Sequence, residues 1–122
     1  MKKLIAVSTL LAVIIISCSK SGTTSNGGGT GGGTTVDCST VTNKAFAADV
    51  APIFSSSCAI ASCHATGSAN GPGALTTYQQ ILNNRIAIRA AVASGRMPQT
   101  GSLSTSQKNS LLCWIDGGAP NN

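Results

Sequence analysis

The chain has 122 residues and a formal charge of +5; 42% of it is hydrophobic, only 3% is aromatic, and it contains a single histidine and five cysteines. Its basic residues form no run and are not interleaved with aromatics, which argues against a nucleic-acid partner. Three scattered aspartates and the absence of any glutamate argue against an enzyme.

Residues 1 to 17 carry Lys2 and Lys3, then an apolar run over 4 to 16 and Ser17 directly before Cys18. This is the pattern of a secretory signal peptide, and the run is shorter than the roughly 20 apolar residues of a membrane-spanning helix. Removing it takes two positive charges, so +5 − 2 leaves +3 for the mature chain. The sequence Ile15-Ile16-Ser17-Cys18 resembles a bacterial lipobox, with Ile15 where Leu is usual. Cys18 is then the expected lipidation site, and several acyl chains on one cysteine would anchor the protein stably. The competing expectation is simple secretion, with Cys18 left in the discarded leader.

Residues 18 to 36 are small and polar, rich in Gly, Thr and Ser, and cannot bury a core. They predict a flexible tether with an average span of roughly 25 Å. No Gly-Lys-Ser/Thr follows the glycines, so a phosphate-binding loop is not expected. A domain over residues 37 to 122 is left, with a core of mostly aliphatic residues. At this size a disulfide, metal or cofactor is commonly needed as a staple.

Within that domain Phe46, Val50, Ile53 and Phe54 recur at helical spacing. A helix over 50 to 57 is predicted, with Asp49 as N-cap and Pro52 in the first turn, where no backbone donor is required. It delivers Cys58. Residues 65 to 73 are punctuated by Gly and Pro and read as loop. Thr76 or Thr77 is expected to cap a short helix carrying Tyr78, Ile81 and Leu82. Asn83 or Asn84 is expected to cap another that stops at Gly95, with Ile88 and Val92 inward. Ser104 and Gln107 match a capping box for a helix over 105 to 116, with Leu111, Leu112 and Ile115 as its core stripe. Trp114 is expected to be partly buried against that core or against a bound cofactor.

The stretch Cys58-Ala59-Ile60-Ala61-Ser62-Cys63-His64 places two thiols and the one imidazole together. Two cysteines with a histidine directly after the second is the attachment pattern of a c-type haem, although four residues separate the cysteines here instead of two. Met97 sits in a loop after a glycine and is the only methionine besides Met1, so a distal thioether ligand explains it better than packing does. With Cys58 and Cys63 holding haem and Cys18 holding lipid, Cys38 and Cys113 remain for one disulfide, which an exported chain can form.

Residues 49 to 120 resemble the small c-type cytochrome domains of bacterial envelope lipoproteins, which are class I cytochrome c-like. The resemblance rests on Asp49-Val50-Ala51-Pro52-Ile53-Phe54, Cys63-His64, Gly71-Pro72, Leu75-Thr76-Thr77-Tyr78, Gly95-Arg96-Met97-Pro98 and Trp114-Ile115 with Gly117-Gly118-Ala119-Pro120. It implies an all-α domain wrapped around one haem c, with His64 as proximal and Met97 as distal iron ligand and Cys58 and Cys63 as thioether residues. It also implies that the Pro72 carbonyl accepts the hydrogen bond of the imidazole. Arg85, Arg89, Arg96 or Tyr78 is a candidate partner for a haem propionate, and Trp114 or the loop near Met97 is expected to border the haem edge. The implied protein is a monomeric electron carrier, lipid-anchored in the bacterial cell envelope and facing the periplasm or the cell surface, with redox proteins as partners. Two other readings use the same residues. One is a zinc site of Cys58, Cys63, His64 and either Cys38 or Cys113; the other is a structural or binding lipoprotein in which Cys58 and Cys63 pair with each other.

Overall fold

The computed structural model describes residues 35 to 122. The signal sequence, Cys18 and the tether up to residue 34 lie outside the described residues. The described part is helical: a short π-helical turn, Phe46–Val50, runs directly into α1, Ala51–Ser57, followed by α2, Tyr78–Ala93, and α3, Thr105–Asp116. No strand occurs among these residues, and none of the described helices is long and apolar enough to cross a membrane.

Helix α3 is the post on which the rest is mounted. It packs against α2 and against the π-helical turn. Ser104 starts it with the expected capping box: its hydroxyl accepts from the Gln107 N–H while the Gln107 side chain accepts from the Ser104 N–H. Leu111, Leu112 and Trp114 are essentially sealed from solvent, and Cys113 and Ile115 are buried beside them. Burial of this kind yields about 1.5 to 3 kcal/mol per large apolar side chain, so α3 holds much of the aliphatic core. Trp114 is not at a cofactor edge, as the sequence allowed, but wholly inside the core. Its ring lies 5.4 Å from Phe46 and 6.5 Å from Tyr78, and its Nε1–H donates to the Pro120 carbonyl at 2.8 Å. Tyr78 likewise donates its hydroxyl to the Ala119 carbonyl at 2.9 Å. The chain after α3 thus folds back to satisfy both aromatic donors, the buried indole of Trp114 and the half-buried hydroxyl of Tyr78.

The first helix differs from expectation at its start. Asp49 is not an N-cap, because the chain is already helical from Phe46. The Asp49 carboxylate reaches back four residues and accepts from the Ala45 N–H at 2.9 Å. Both the Asp49 and Val50 N–H groups donate to the Ala45 carbonyl, which widens this turn. Pro52 still falls in the first turn of α1, as expected. The two helices predicted over 77 to 94 are one. Thr77 is the cap, with Gln80 completing a capping box. Asn83 and Asn84 sit mid-helix, where Asn83 accepts from Gln79 and Asn84 donates to the Gln80 carbonyl. These i, i+4 bonds occupy the side chains that would otherwise compete with the backbone. Gly95, at φ +73°, ends α2 in the left-handed region that disfavours side chains bearing a Cβ.

Cys38 and Cys113 form a disulfide with Cα atoms 5.4 Å apart across 75 residues of sequence. The bridge ties the entry to the domain to the middle of α3. Arg89 of α2 and Asp116 at the end of α3 form a fork pair, with Nη2 2.9 Å from Oδ2.

Two outcomes follow for stability. Replacing Cys38 and Cys113 together by serine removes a closed loop of 75 residues and is expected to lower the unfolding free energy by about 4 kcal/mol in urea titration. A loss under about 1 kcal/mol would mean that the bridge constrains nothing. Arg89 holds the Asp116 carboxyl below its ordinary value, chiefly through their hydrogen bond. The pair therefore stabilises above the unfolded carboxylate pKa, and its contribution is lost as pH falls through the lowered folded value. Both side chains are more than a third exposed, so Asp116→Asn should cost less than about 1 kcal/mol at pH 7 and progressively less as pH falls through the lowered carboxyl value. A difference between variant and wild type that grows with acid would contradict this sign.

Candidate functional site

The end of α1 and the loop after it place the sulfur and imidazole groups. Cys58 closes α1, its N–H donating to the Phe54 carbonyl. Its own carbonyl accepts from the His64 N–H at 3.1 Å, so the chain between them bulges and returns. His64 is then fixed at two further points. Its carbonyl accepts from the Leu75 N–H at 2.9 Å, and its ring Nδ1 lies 2.8 Å from the Gly73 carbonyl. A carbonyl only accepts, so Nδ1 carries the proton, and the tautomer with its lone pair on Nε2 is the one the bond selects. Nε2 has no hydrogen-bond partner among the described residues, and the residue is 8% exposed. This is the arrangement that prepares an imidazole as a metal ligand, with the second nitrogen oriented by a backbone acceptor.

The acceptor is Gly73 and not Pro72. Pro72 lines the same cavity as His64, but the loop places the next carbonyl against the ring. Gly73 does this at φ +83°, and a Cβ there would lie 3.3 Å from the Ser68 carbonyl oxygen, so glycine suits the position on two counts.

Cys58, Cys63, His64, Pro72 and Met97 all line one cavity of about 570 Å³. This lies within the range of pockets that take cofactor-sized ligands. Phe54, Leu75, Ile88 and Val92 form much of its apolar wall. Met97 reaches it from the end of α2, held there by its N–H donating to the Ala91 carbonyl at 3.1 Å. The Met97-Pro98 peptide bond is cis. No carboxylate lines the cavity, and Arg96 is its one guanidinium. Of the four candidates for a propionate partner, three are engaged elsewhere. Arg85 donates to the Leu82 carbonyl, Arg89 pairs with Asp116, and Tyr78 bonds Ala119. Arg96 alone lines the cavity.

Cys58 and Cys63 are both free thiols and both half-buried. Burial, with the neighbouring Cys63 as the lesser cause, pushes the Cys58 thiol up to about 11. Cys38 and Cys113 are bonded to each other. No group of three or more His, Cys, Asp or Glu side chains among the described residues is set to hold a metal ion. Three residues that sequence reasoning passed over, Ser68, Asn70 and Gly73, organise the loop between the cysteines and Leu75. Small polar residues between glycines were the only signal.

No protein-family model matches the chain, and no curated protein or solved structure matches it either.

The raised Cys58 pKa gives a direct check. In the full chain prepared without haem, alkylation at pH 8 should modify Cys63 well before Cys58, because a thiol with a pKa near 11 is only about 0.1% thiolate there. Equal rates at the two cysteines, read by peptide mass, would contradict the burial described.

Proposed function

We propose that this domain is a monohaem c-type cytochrome of class I type, carrying electrons between redox partners of a bacterial cell envelope. The observation that carries the reading is the convergence of two free thiols, a lone imidazole and a lone thioether on one largely apolar cavity. The residues fit a haem by their donor chemistry. Cys58 and Cys63 would supply thioether sulfurs, His64 would offer Nε2 with its tautomer selected by Gly73, and Met97 would supply a soft second donor. A haem bound there supplies a one-electron iron couple, and His/Met ligation raises its potential.

The chain's own residues do the rest. Gly73 fixes the ring of His64, the hydrogen bond to Ala91 keeps Met97 at the end of α2, and Phe54, Leu75, Ile88 and Val92 give the cavity an apolar wall. Arg96 offers a cation where the cavity has no competing carboxylate. Were His64 and Met97 both to ligate the iron, no coordination position would be left for a substrate, which favours a carrier over a catalyst. In this reading residues 1 to 17 direct export, Cys18 bears the lipid anchor, and the tether lifts a monomeric domain from the membrane into the periplasm or onto the cell surface. The net charge of +3 in the mature chain suits acidic docking surfaces, which act mainly on encounter rate.

The test is the full chain expressed with a c-type haem maturation system beside a control cytochrome. A thioether-type haemochrome in alkaline pyridine that stays with the polypeptide after denaturation is the expected result. A colourless chain beside a coloured control would end the reading. Met97→Ala should keep the covalent haem but lower the reduction potential by on the order of 100 mV, within the roughly 0.8 V range that axial ligands span.

A further inference from the structure

We propose that Asn70 is a positioning residue that sets Cys63 in register with the imidazole of His64, an inference that rests on the haem reading above. The four residues between the cysteines, Ala59-Ile60-Ala61-Ser62, make a longer bulge than the usual two. Three of them have no side-chain polar group with which to hold a shape. The bulge ends at Ser62, a non-glycine residue at φ +67°, which is unfavourable for its backbone. Within it the Cys63 N–H donates to the Ile60 carbonyl at 3.1 Å, which closes a turn but leaves the Ser62 and Cys63 carbonyls to be held from outside.

Among the described residues, only Asn70 and Ser68 donate side-chain hydrogen bonds to the backbone between Cys58 and Cys63. Asn70 Nδ2 donates to the Ser62 carbonyl at 2.8 Å and approaches the Cys63 carbonyl at 3.4 Å. The Ser68 hydroxyl donates to the Cys63 carbonyl, and the Asn70 N–H donates to the Ser68 hydroxyl at 3.1 Å. The Asn70 carbonyl meanwhile accepts from the Gly73 N–H at 3.0 Å, and the Gly73 carbonyl is the acceptor for His64 Nδ1. One residue thus grips the cysteine bulge with its side chain and the imidazole's acceptor with its backbone. Cys58 does not need this support, because α1 fixes its N–H and His64 binds its carbonyl.

The step that depends on this register is the attachment of Cys63. Its S–H adds across a vinyl C=C of the porphyrin: the S–H bond breaks, a C–S bond forms, the hydrogen goes to the neighbouring vinyl carbon, and no electrons leave or arrive. A sulfur held loosely reaches its carbon less often, while Cys58 is unaffected.

The experiment uses the full chain matured with haem, as wild type, Asn70→Ala and Asn70→Asp. The aspartate keeps the shape of the side chain and, ionised at neutral pH, loses its donor. Thioether number is read from the haemochrome band, which moves to longer wavelength when one vinyl group survives, and from alkylation of leftover thiols after denaturation. Wild type is expected with two thioethers. Both variants should show haem held by Cys58 alone in part of the population. Their ratio of Cys63 to Cys58 attachment should fall about fivefold, the factor that one lost hydrogen bond of about 1 kcal/mol gives. Variants attached at both cysteines like wild type would overturn the proposal, as would variants that lose both attachments equally, which marks a general folding role. A wild type that takes no haem would bring down the haem reading itself and this inference with it.

Discussion

The aromatic knot around Trp114 is the constraint on which the rest of the fold depends. Phe46 from the π-helical turn, Tyr78 from the start of α2 and Trp114 from the middle of α3 meet there. The two polar handles are satisfied by consecutive carbonyls, Ala119 and Pro120, of the returning C-terminus. The disulfide fastens the neighbouring residue, Cys113, to the domain's entry. A chain with only four aromatic residues has placed three of them at one point, together with its one cross-link among the described residues. That concentration leaves the face made by the end of α1, the far part of α2 and the loops around His64 without a core of its own, and this is where the cavity lies.

The cavity has the opposite character. Its wall is apolar, built from Phe54 and several aliphatic side chains, and its functional groups are tied by backbone hydrogen bonds. His64 is tied at N–H, carbonyl and ring, and Met97 is tied to the last turn of α2. A domain of this size with a thin aliphatic core gains much from an apolar body filling such a space. The proposed cofactor would therefore be part of the fold as well as the seat of the chemistry. The cysteine count agrees with that division, with one pair spent on the knot and one pair left free at the cavity.

How much of this the sequence showed depended on whether the signal was local. The Ser104 and Gln107 capping box, the loop over 65 to 73 and the aliphatic stripe of α3 were all legible, because each depends on residues within one or two turns. The helical class was legible from the same signals. The start of the first helix was misread because the Asp49 carboxylate bonds backward to Ala45 instead of forward, a choice made by the wide turn in front of it. Asn83 and Asn84 looked like a break, since asparagine favours caps, but bonds along α2 absorbed both side chains. Trp114 could not be assigned a side from spacing alone, because its donor is met by a carbonyl beyond the helix end. At the cavity the grouping of Cys58, Cys63, His64 and Met97 was suggested by residue chemistry. The acceptor to His64 was off by one residue, in a loop whose register depends on two positive-φ glycines, Gly71 and Gly73, and on the bond from the Gly73 N–H to Asn70. Asn70 was invisible, because a loop asparagine carries no pattern until its partners are known.

The central claim is that His64 and Met97 together ligate an iron in this cavity. Proton NMR of the matured, reduced full chain tests it most directly, because a methionine methyl group lying over a porphyrin face is shifted far upfield of all other protein signals. The account predicts one such three-proton resonance, absent from Met97→Ala and retained in variants elsewhere on the surface. A diamagnetic haem protein without that resonance, or one in which it survives Met97→Ala, would contradict the ligand assignment. It would then fall to another residue to close the iron.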